Sequence, residues 1–255
     1  MNTPIQDWHG KHVWIIGASS GIGAETAKLL LSSGAIVALS ARNAAGLQAC
    51  AAGYPESLIL PLDITDHAAL MSAQKQLLTQ WGQLDLVLIV AGTYHKMRAD
   101  SFDLAVAQHL LDINLGGPLK CLDVVLPVLL AQKNGGIGIV ASVAGLNGLP
   151  EALIYGPSKA ALINLAEALY LDLHPRGINV YLINPGFVAT PLTAGNEFAM
   201  PALIAADTAA QAMVRGIERG EFHIHFPKRF TNWLRLLRLL PYRWYFWLVH
   251  KVTGL

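Results

Sequence analysis

Short apolar runs alternate with longer amphipathic segments along nearly the whole chain. Residues 13–17, 36–39, 57–60, 86–91, 137–141, 179–183 and 222–226 are rich in Val, Ile and Leu and mostly lack polar alternation, the pattern of strands covered on both faces. Between them, residues 21–33, 43–52, 66–81, 101–131, 153–174 and 207–219 have helical length, with Asp66 and Asp207 placed as N-caps. This alternation predicts right-handed crossovers and one α/β domain on a doubly wound, parallel, seven-stranded sheet. One compositional break falls near Pro227, which divides the chain into a body, 1–227, and a tail, 228–255.

Composition changes this picture at one end. A chain of 255 residues, 53% of them hydrophobic, can bury one sizeable core. The net charge of +1 hides an asymmetry: from Phe222 onward there is no Asp or Glu, while six of the 18 Lys and Arg residues lie there. A basic tail on a neutral-to-acidic body suggests an anionic surface partner. The two cysteines, Cys50 and Cys121, have no ligand-like spacing and are expected to be reduced. Residues 1–12 lack the basic and apolar regions of a signal peptide, so the cytoplasm is the expected location.

The first strand runs into Gly17-Ala18-Ser19-Ser20-Gly21-Ile22-Gly23 and then a helix. Glycines let the backbone approach a pyrophosphate, and the free N–H groups and helix dipole favour its charge. The second strand ends Leu39-Ser40-Ala41-Arg42, with no acid to accept from a ribose 2′-hydroxyl. Arginine's fork suits a 2′-phosphate, so NADP(H) is the expected cofactor.

Tyr155-Gly156-Pro157-Ser158-Lys159 places tyrosine and lysine one helical turn apart, with Pro157 in the first turn. A free tyrosine, with a pKa of about 10, is a poor catalyst near neutrality, and a neighbouring ammonium is expected to lower that value. Ser142 lies at the end of the fifth strand, at the carboxyl edge where such sheets bind ligands. Its hydroxyl could hold a substrate oxygen.

On these motifs the chain resembles the short-chain dehydrogenase/reductase family, in its short single-domain branch, over residues 9 to 226. The resemblance implies a Rossmann-type fold. It makes Gly17, Ser19, Ser20, Gly21, Ile22 and Gly23 the cofactor turn, and Asp63 with Ile64 the adenine contact. Ala91 and Gly92, Pro185, Gly186, Val188 and Thr190 would line the nicotinamide half. Asn114, Ser142, Tyr155 and Lys159 match the catalytic set, Tyr155 moving the proton, Ser142 orienting the oxygen, Lys159 holding the ribose and Asn114 linking Lys159 to solvent through water. Arg42 matches the arginine of NADP-preferring members. Two positions depart from the family pattern. Ile16 stands where the family has Thr, and Ile89-Val90-Ala91-Gly92 replaces Asn-Asn-Ala-Gly, which puts sheet stability or cofactor affinity in question.

The implied activity is NADP(H)-dependent interconversion of a carbonyl and a secondary alcohol. Residues 190–201, where the family keeps its substrate-covering loop, have a mixed apolar character that hints at a lipophilic substrate. The alternative is a catalytically idle NADP(H)-binding scaffold or sensor at a membrane. A small-molecule substrate and a homodimer or homotetramer are expected, and no nucleic acid or metal; His223-Ile224-His225 reads as structural. In the tail, 230–240 as a helix puts Thr231, Arg235 and Arg238 on one face and Phe230, Trp233, Leu234, Leu236, Leu237 and Leu240 over the rest. Pro241 ends it, and aromatic residues crowd around Arg243. This is the composition of helices that lie in a membrane interface, so peripheral membrane contact is expected through 228–251; packing on the body or across a dimer is the alternative.

Overall fold

Strand β1 (His12–Ile16) shows how the apolar runs are spent. Val13 and Ile15 join the core on one face of the sheet, and Trp14 and Ile16 join the core on the other. A strand buried on both faces has no use for polar alternation. The polar demand of Trp14, its Nε1–H, is met by donation to the buried Ser40 hydroxyl at 2.9 Å. Each such Leu, Ile or Val contributes about 1.5–3 kcal/mol relative to an exposed one.

A computed structural model describes residues 1–195 and 200–253. The further strands are β2 (Ile36–Ser40), β3 (Leu58–Ile59), β4 (Leu86–Ile89), β5 (Gly136–Val140), β6 (Asn179–Pro185), β7 (Val188–Ala189), β8 (Ile204–Ala205) and β9 (His223–Phe226). Seven of them form one sheet in the order β3-β2-β1-β4-β5-β6-β9, every neighbouring pair parallel. The helices are α1 (Gly21–Ser32), α2 (Ala44–Ala51), α3 (His67–Trp81), α4 (Leu104–Leu111), α5 (Gly117–Gln132), α6 (Tyr155–Leu173), α7 (Ala206–Glu218), α8 (Lys228–Leu237) and α9 (Tyr242–Thr253). Helices α1, α2 and α7 cover one face of the sheet, and α3, α5 and α6 the other. The fold is a doubly wound α/β domain. The crossing from β1 toward β2 on one side and β4 on the other opens a cleft at the carboxyl edge.

Local differences from the sequence reading have physical causes. Asp66 caps α3, accepting from Ala69 N–H at 3.0 Å. Asp207 does not cap α7: the helix starts one residue earlier, and its carboxylate instead accepts from Thr208 N–H at 2.6 Å. The segment expected as one helix over 101–131 is continuous only from Leu104, and residues Asp112–Gly116 make a π-turn between α4 and α5. Pro118, with no N–H to donate, removes one rung of the ladder just there. Strands β7 and β8 form a separate two-stranded pair that the apolar pattern does not announce. Asn2 acts as a substitute strand residue: its side chain donates to Val180 O at 2.7 Å and accepts from Val180 N–H at 3.1 Å.

The tail folds as two helices, not one. Helix α8 ends at Leu237, before the expected Leu240, and α9 follows Pro241. Thr231 and Arg235 do lie on one side of α8, as expected, but that side faces the body. The Thr231 hydroxyl meets His225 Nδ1 at 2.6 Å and Arg235 Nη1 reaches His225 Nε2 at 3.1 Å.

Candidate active site

The glycine turn is built for close approach. Gly17 adopts φ +102°, and a Cβ there would lie 2.5 Å from Ala91 N. A Cβ on Gly23 would lie 2.0 Å from Gly17 O, so no side chain fits where the turn enters α1. Ser20 precedes α1 in an extended conformation and contributes no side-chain cap. The first-turn N–H groups are thus left for an anion, together with the positive end of the helix. These features fit a dinucleotide pyrophosphate.

One cleft of about 420 Å³ is lined by Gly17, Ser19, Ser20, Gly21, Ile22 and Gly23, and also by Arg42, Asp63, Ile64, Ala91 and Gly92. Ser142, Tyr155, Lys159, Pro185, Gly186, Val188 and Thr190 complete its far half. Asn114 alone of the expected residues does not line it. At the adenosine end, the largely exposed Arg42 guanidinium stands 3.9 Å from the Asp63 carboxylate. Partial burial opposes ionisation of Asp63, but Thr65 N–H and hydroxyl donate to it at 2.8 Å. With the Arg42 charge, they hold its carboxyl below the usual range.

The opposite end gathers the acid–base groups. Ser142 lies just beyond β5 and accepts from Ala144 N–H at 3.1 Å, capping the short 3₁₀ turn Val143–Gly145. Its hydroxyl also acts on the phenol of Tyr155, the first residue of α6, and favours its ionised form. Lys159, one turn further, is buried and donates to Val140 O at 3.0 Å, with Nζ 5.8 Å from the Tyr155 ring centre. Burial pushes its ammonium down to about 8. The lowering of Tyr155 expected from Lys159 is not what the protein surroundings produce. Burial pushes the phenol up, the Ser142 hydroxyl opposes it, and Tyr94 adds to the rise.

Asn114 sits fully buried in the π-turn and works on the backbone. Its Oδ1 accepts from Thr93 N–H at 2.7 Å, and its Nδ2 donates to Thr93 O at 2.9 Å and Ser158 Oγ at 3.2 Å. A Cβ on Gly92 would meet both Asn114 Oδ1 and Lys159 Nζ at 3.3 Å, so these two groups flank Gly92. Asn114 thereby fixes the chain that forms one wall beside Lys159.

The two departures from the family pattern turn out to be neighbours. Ile16 and Ile89 are register partners on β1 and β4, both buried in the same core cluster. An apolar pair replaces two polar positions at once, so neither leaves a buried polar group without a partner.

Sequence reasoning missed Tyr94, whose ring meets that of Tyr155 edge-on at 5.1 Å. It also missed Thr193, which donates to Val188 O at 2.6 Å and accepts from Thr190 N–H at 3.1 Å, tying the strand end to the loop. Neither carries a motif; only tertiary packing identifies them. The expected substrate-covering loop at 190–201 is described at residues 190–195 and 200–201, while Asn196, Glu197, Phe198 and Ala199 lie outside the described residues.

Residues 11–199 match the family model for short chain dehydrogenase. An uncharacterized oxidoreductase of Myxococcus xanthus is 34% identical over 232 residues, 89% of this chain and 91% of its own. The 2-dehydro-3-deoxy-L-rhamnonate dehydrogenase (NAD(+)) of a Sphingomonas species is 32% identical over 184 residues, 72% of this chain and 74% of its own. Among solved structures, a short chain dehydrogenase/reductase from Burkholderia phymatum in complex with NAD aligns with a TM-score of 0.83 at 23% identity, over 91% of this chain and 94% of that one. That last likeness is one of fold.

Proposed function

This chain belongs to the short chain dehydrogenase family of oxidoreductases, which use a nicotinamide dinucleotide on small-molecule CH–OH substrates, and on that footing we propose that it is an NADP(H)-dependent carbonyl reductase of a lipophilic substrate. The observation that carries the proposal is the Tyr155 phenol, gathered with Ser142 and a buried Lys159 in one cleft, facing the glycine turn.

When bound, the nicotinamide supplies a hydride to the carbonyl carbon, or accepts one from the alcohol in reverse. The chain's own residues do the remainder. Tyr155 donates its phenolic proton to the developing alkoxide, a service worth about 10²–10⁴-fold when the donor is positioned. Ser142 holds the same oxygen in line. Lys159, buried in the cleft wall, would hold the cofactor's ribose, and Asn114 keeps the 91–93 wall in place. Val90, Pro191 and Leu192 add apolar side chains to the cleft lining, which supports a lipophilic substrate.

Arg42 supports NADP(H), because β2 is followed by no acid that would repel a 2′-phosphate. The Sphingomonas relative is named for NAD(+), so the preference is best measured here directly. Wild type is expected to bind NADPH at least about tenfold more tightly than NADH, and Arg42→Asp to reverse the order. Equal affinities, or no effect of the substitution, would refute this part. Turnover of NADPH against a panel of aldehydes, ketones and 3-oxoacyl compounds tests the reaction itself; no consumption with any member would favour an idle scaffold.

Two buried, unpaired thiols suit a cytoplasmic location. Exposed Leu104, Leu111 and Leu119 along α4–α5, with Leu171 on α6, support a homodimer or homotetramer, which light scattering would detect.

A further inference from the structure

Helices α8 and α9 hold outside what a helix seated on a protein ordinarily hides. Trp233 is 70% exposed, Trp244 60% and Leu239 80%. Of the 19 large hydrophobic side chains exposed among the described residues, nine fall within 228–253. The arrangement is nevertheless anchored at both ends. Thr231 and Arg235 tie α8 to His225, and the buried Tyr245 ties α9 to the body by donating to Gly148 O at 2.6 Å. Phe230 packs on Phe187 with ring centres 5.6 Å apart. Polar groups and a few rings make the attachment, and the bulk of the apolar surface is left facing out.

Charge narrows the choice of occupant. Arg229, Arg238, Arg243 and Lys251 are also exposed on these helices. No acid follows Glu221, which already lies 3.9 Å from Lys228. A second copy meeting this face symmetrically would bring like charges together with no Asp or Glu in either tail. An anionic bilayer instead offers phosphates to the cations and an apolar layer to the rings, and Trp and Tyr favour that boundary. At 10 and 12 residues, α8 and α9 are about 15 and 18 Å long, too short for a hydrocarbon core of about 30 Å, so they would lie in its surface.

We propose that α8 and α9 together form a docking surface for an anionic lipid bilayer. The surface borders the cleft. Gly148, held by Tyr245, belongs to the loop between Ser142 and Tyr155, and a Cβ on Gly186 in the cleft wall would lie 3.1 Å from Phe230. Docking there sets the mouth of the cleft beside the membrane, so that a lipid-phase carbonyl compound reaches it without crossing water. That consequence for the substrate rests on the function proposed above; the docking itself does not.

The test uses the full chain, sedimented with vesicles of phosphatidylcholine alone and with an equimolar mixture of phosphatidylcholine and phosphatidylglycerol. Binding to the mixed vesicles is expected, about tenfold weaker on the neutral ones and reduced by salt. Replacing Trp233, Trp244 and Trp247 together by Ala is expected to cost a further tenfold or more, because the apolar contact supplies the insertion. Brominated lipid should quench the wild-type fluorescence through these three exposed tryptophans, since Trp8 and Trp14 are buried and the half-buried Trp81 packs against His12 and the core away from the tail. Failure to sediment with the mixed vesicles overturns the proposal. So does a triple variant that sediments like wild type, or one whose only change is loss of an oligomer in light scattering. Reduction of water-soluble carbonyls without vesicles reports separately on the enzymatic reading, so the two can fail independently.

Discussion

The cleft at the carboxyl edge of the sheet and the α8–α9 pair depart from ordinary burial in opposite directions. The cleft buries polar groups in and behind its wall: Asn114, Ser142, Ser158 and Lys159 are all buried, and each is given a hydrogen-bond partner. The helix pair turns apolar groups outside and spends Thr231 and Arg235 on its attachment. A buried polar group costs free energy unless paired, and an exposed apolar patch of this density is rare on a surface that meets only water. The sign of each departure indicates what the region meets. Paired polar groups around an open cleft suit a small molecule that exchanges a proton; exposed rings among exposed cations suit an apolar phase with an anionic boundary.

The sharpest separation of the two regions comes from Tyr155→Phe. Turnover on a confirmed substrate is expected to fall by about 10³-fold, within the usual range for loss of a positioned acid. Vesicle binding should be unchanged, because Tyr155 contacts Ser142 and Tyr94 rather than the tail. Near-normal turnover in this variant would remove the catalytic assignment. Loss of vesicle binding with it would mean that the regions are not separate.

The next largest effect concerns the sheet beneath the cleft. Thr at position 16 alone, or Asn at 89 alone, places a polar group in an apolar core opposite an isoleucine. Each is expected to cost about 1–3 kcal/mol in denaturant unfolding. Ile16→Thr with Ile89→Asn gives each new group a partner across the register, so the double variant should be more stable than the sum of the singles by about 1 kcal/mol or more. Strict additivity would show that the two departures are unrelated.

How much of this was readable in the chain depends on the kind of signal. Seven apolar runs name the seven strands of the main sheet in order, because a strand buried on both faces must be apolar throughout. The glycine turn and the Tyr155/Lys159 pair were readable because steric approach and helical spacing are local properties. The pairing of Ile16 with Ile89 was not, since register between β1 and β4 depends on packing across 73 residues. Tyr94 was hidden for the same reason. The π-turn at Asn114 leaves only Gly116-Gly117-Pro118 as a trace. The tail's amphipathic composition was plain, but which side meets the body was not: that is decided by His225, whose ring offers both nitrogens to α8.

A smaller effect follows from the charge buried in the cleft. Burial lowers the Lys159 pKa from 10.5 to about 8. Below pH 8 the ammonium is charged in folded and unfolded chains alike, so the full penalty for burying it is present. Between 8 and 10.5 the folded chain releases the proton and the penalty fades. Lys159→Met should therefore raise stability at pH 7 by about 2 kcal/mol, after allowing for the lost hydrogen bond to Val140 O, while abolishing turnover. The stability gap to wild type should narrow as pH rises from 8 to 10.5 in thermal unfolding. A variant less stable than wild type at pH 7 would mean that Lys159 holds the fold together as well as the site.

The smallest effect lies in β9, where the two regions meet. Burial lowers His223 to about 4, aided by His225 and Arg235, and its Nε2 lies 2.9 Å from Asn184 Nδ2. His225 is also lowered by burial and by Arg235 and Lys228, with Glu221 opposing. Both rings are therefore neutral in the folded chain at pH 7. The stability this contributes is complete above the unfolded value of about 6.5 and is lost as pH falls through the folded values. Thermal unfolding should move down between pH 6.5 and 4, by about 1 kcal/mol at pH 5 once the rings' partial exposure is discounted. His223→Gln keeps an acceptor for Asn184 without a titrating ring and should flatten that slope. Protonated His225 can no longer accept from Arg235, so α8 should loosen first, seen as a change in tail tryptophan emission while NADPH turnover persists. If emission and turnover fall together, the attachment of α8 and the integrity of the cleft are one cooperative unit, and the division between them is lost.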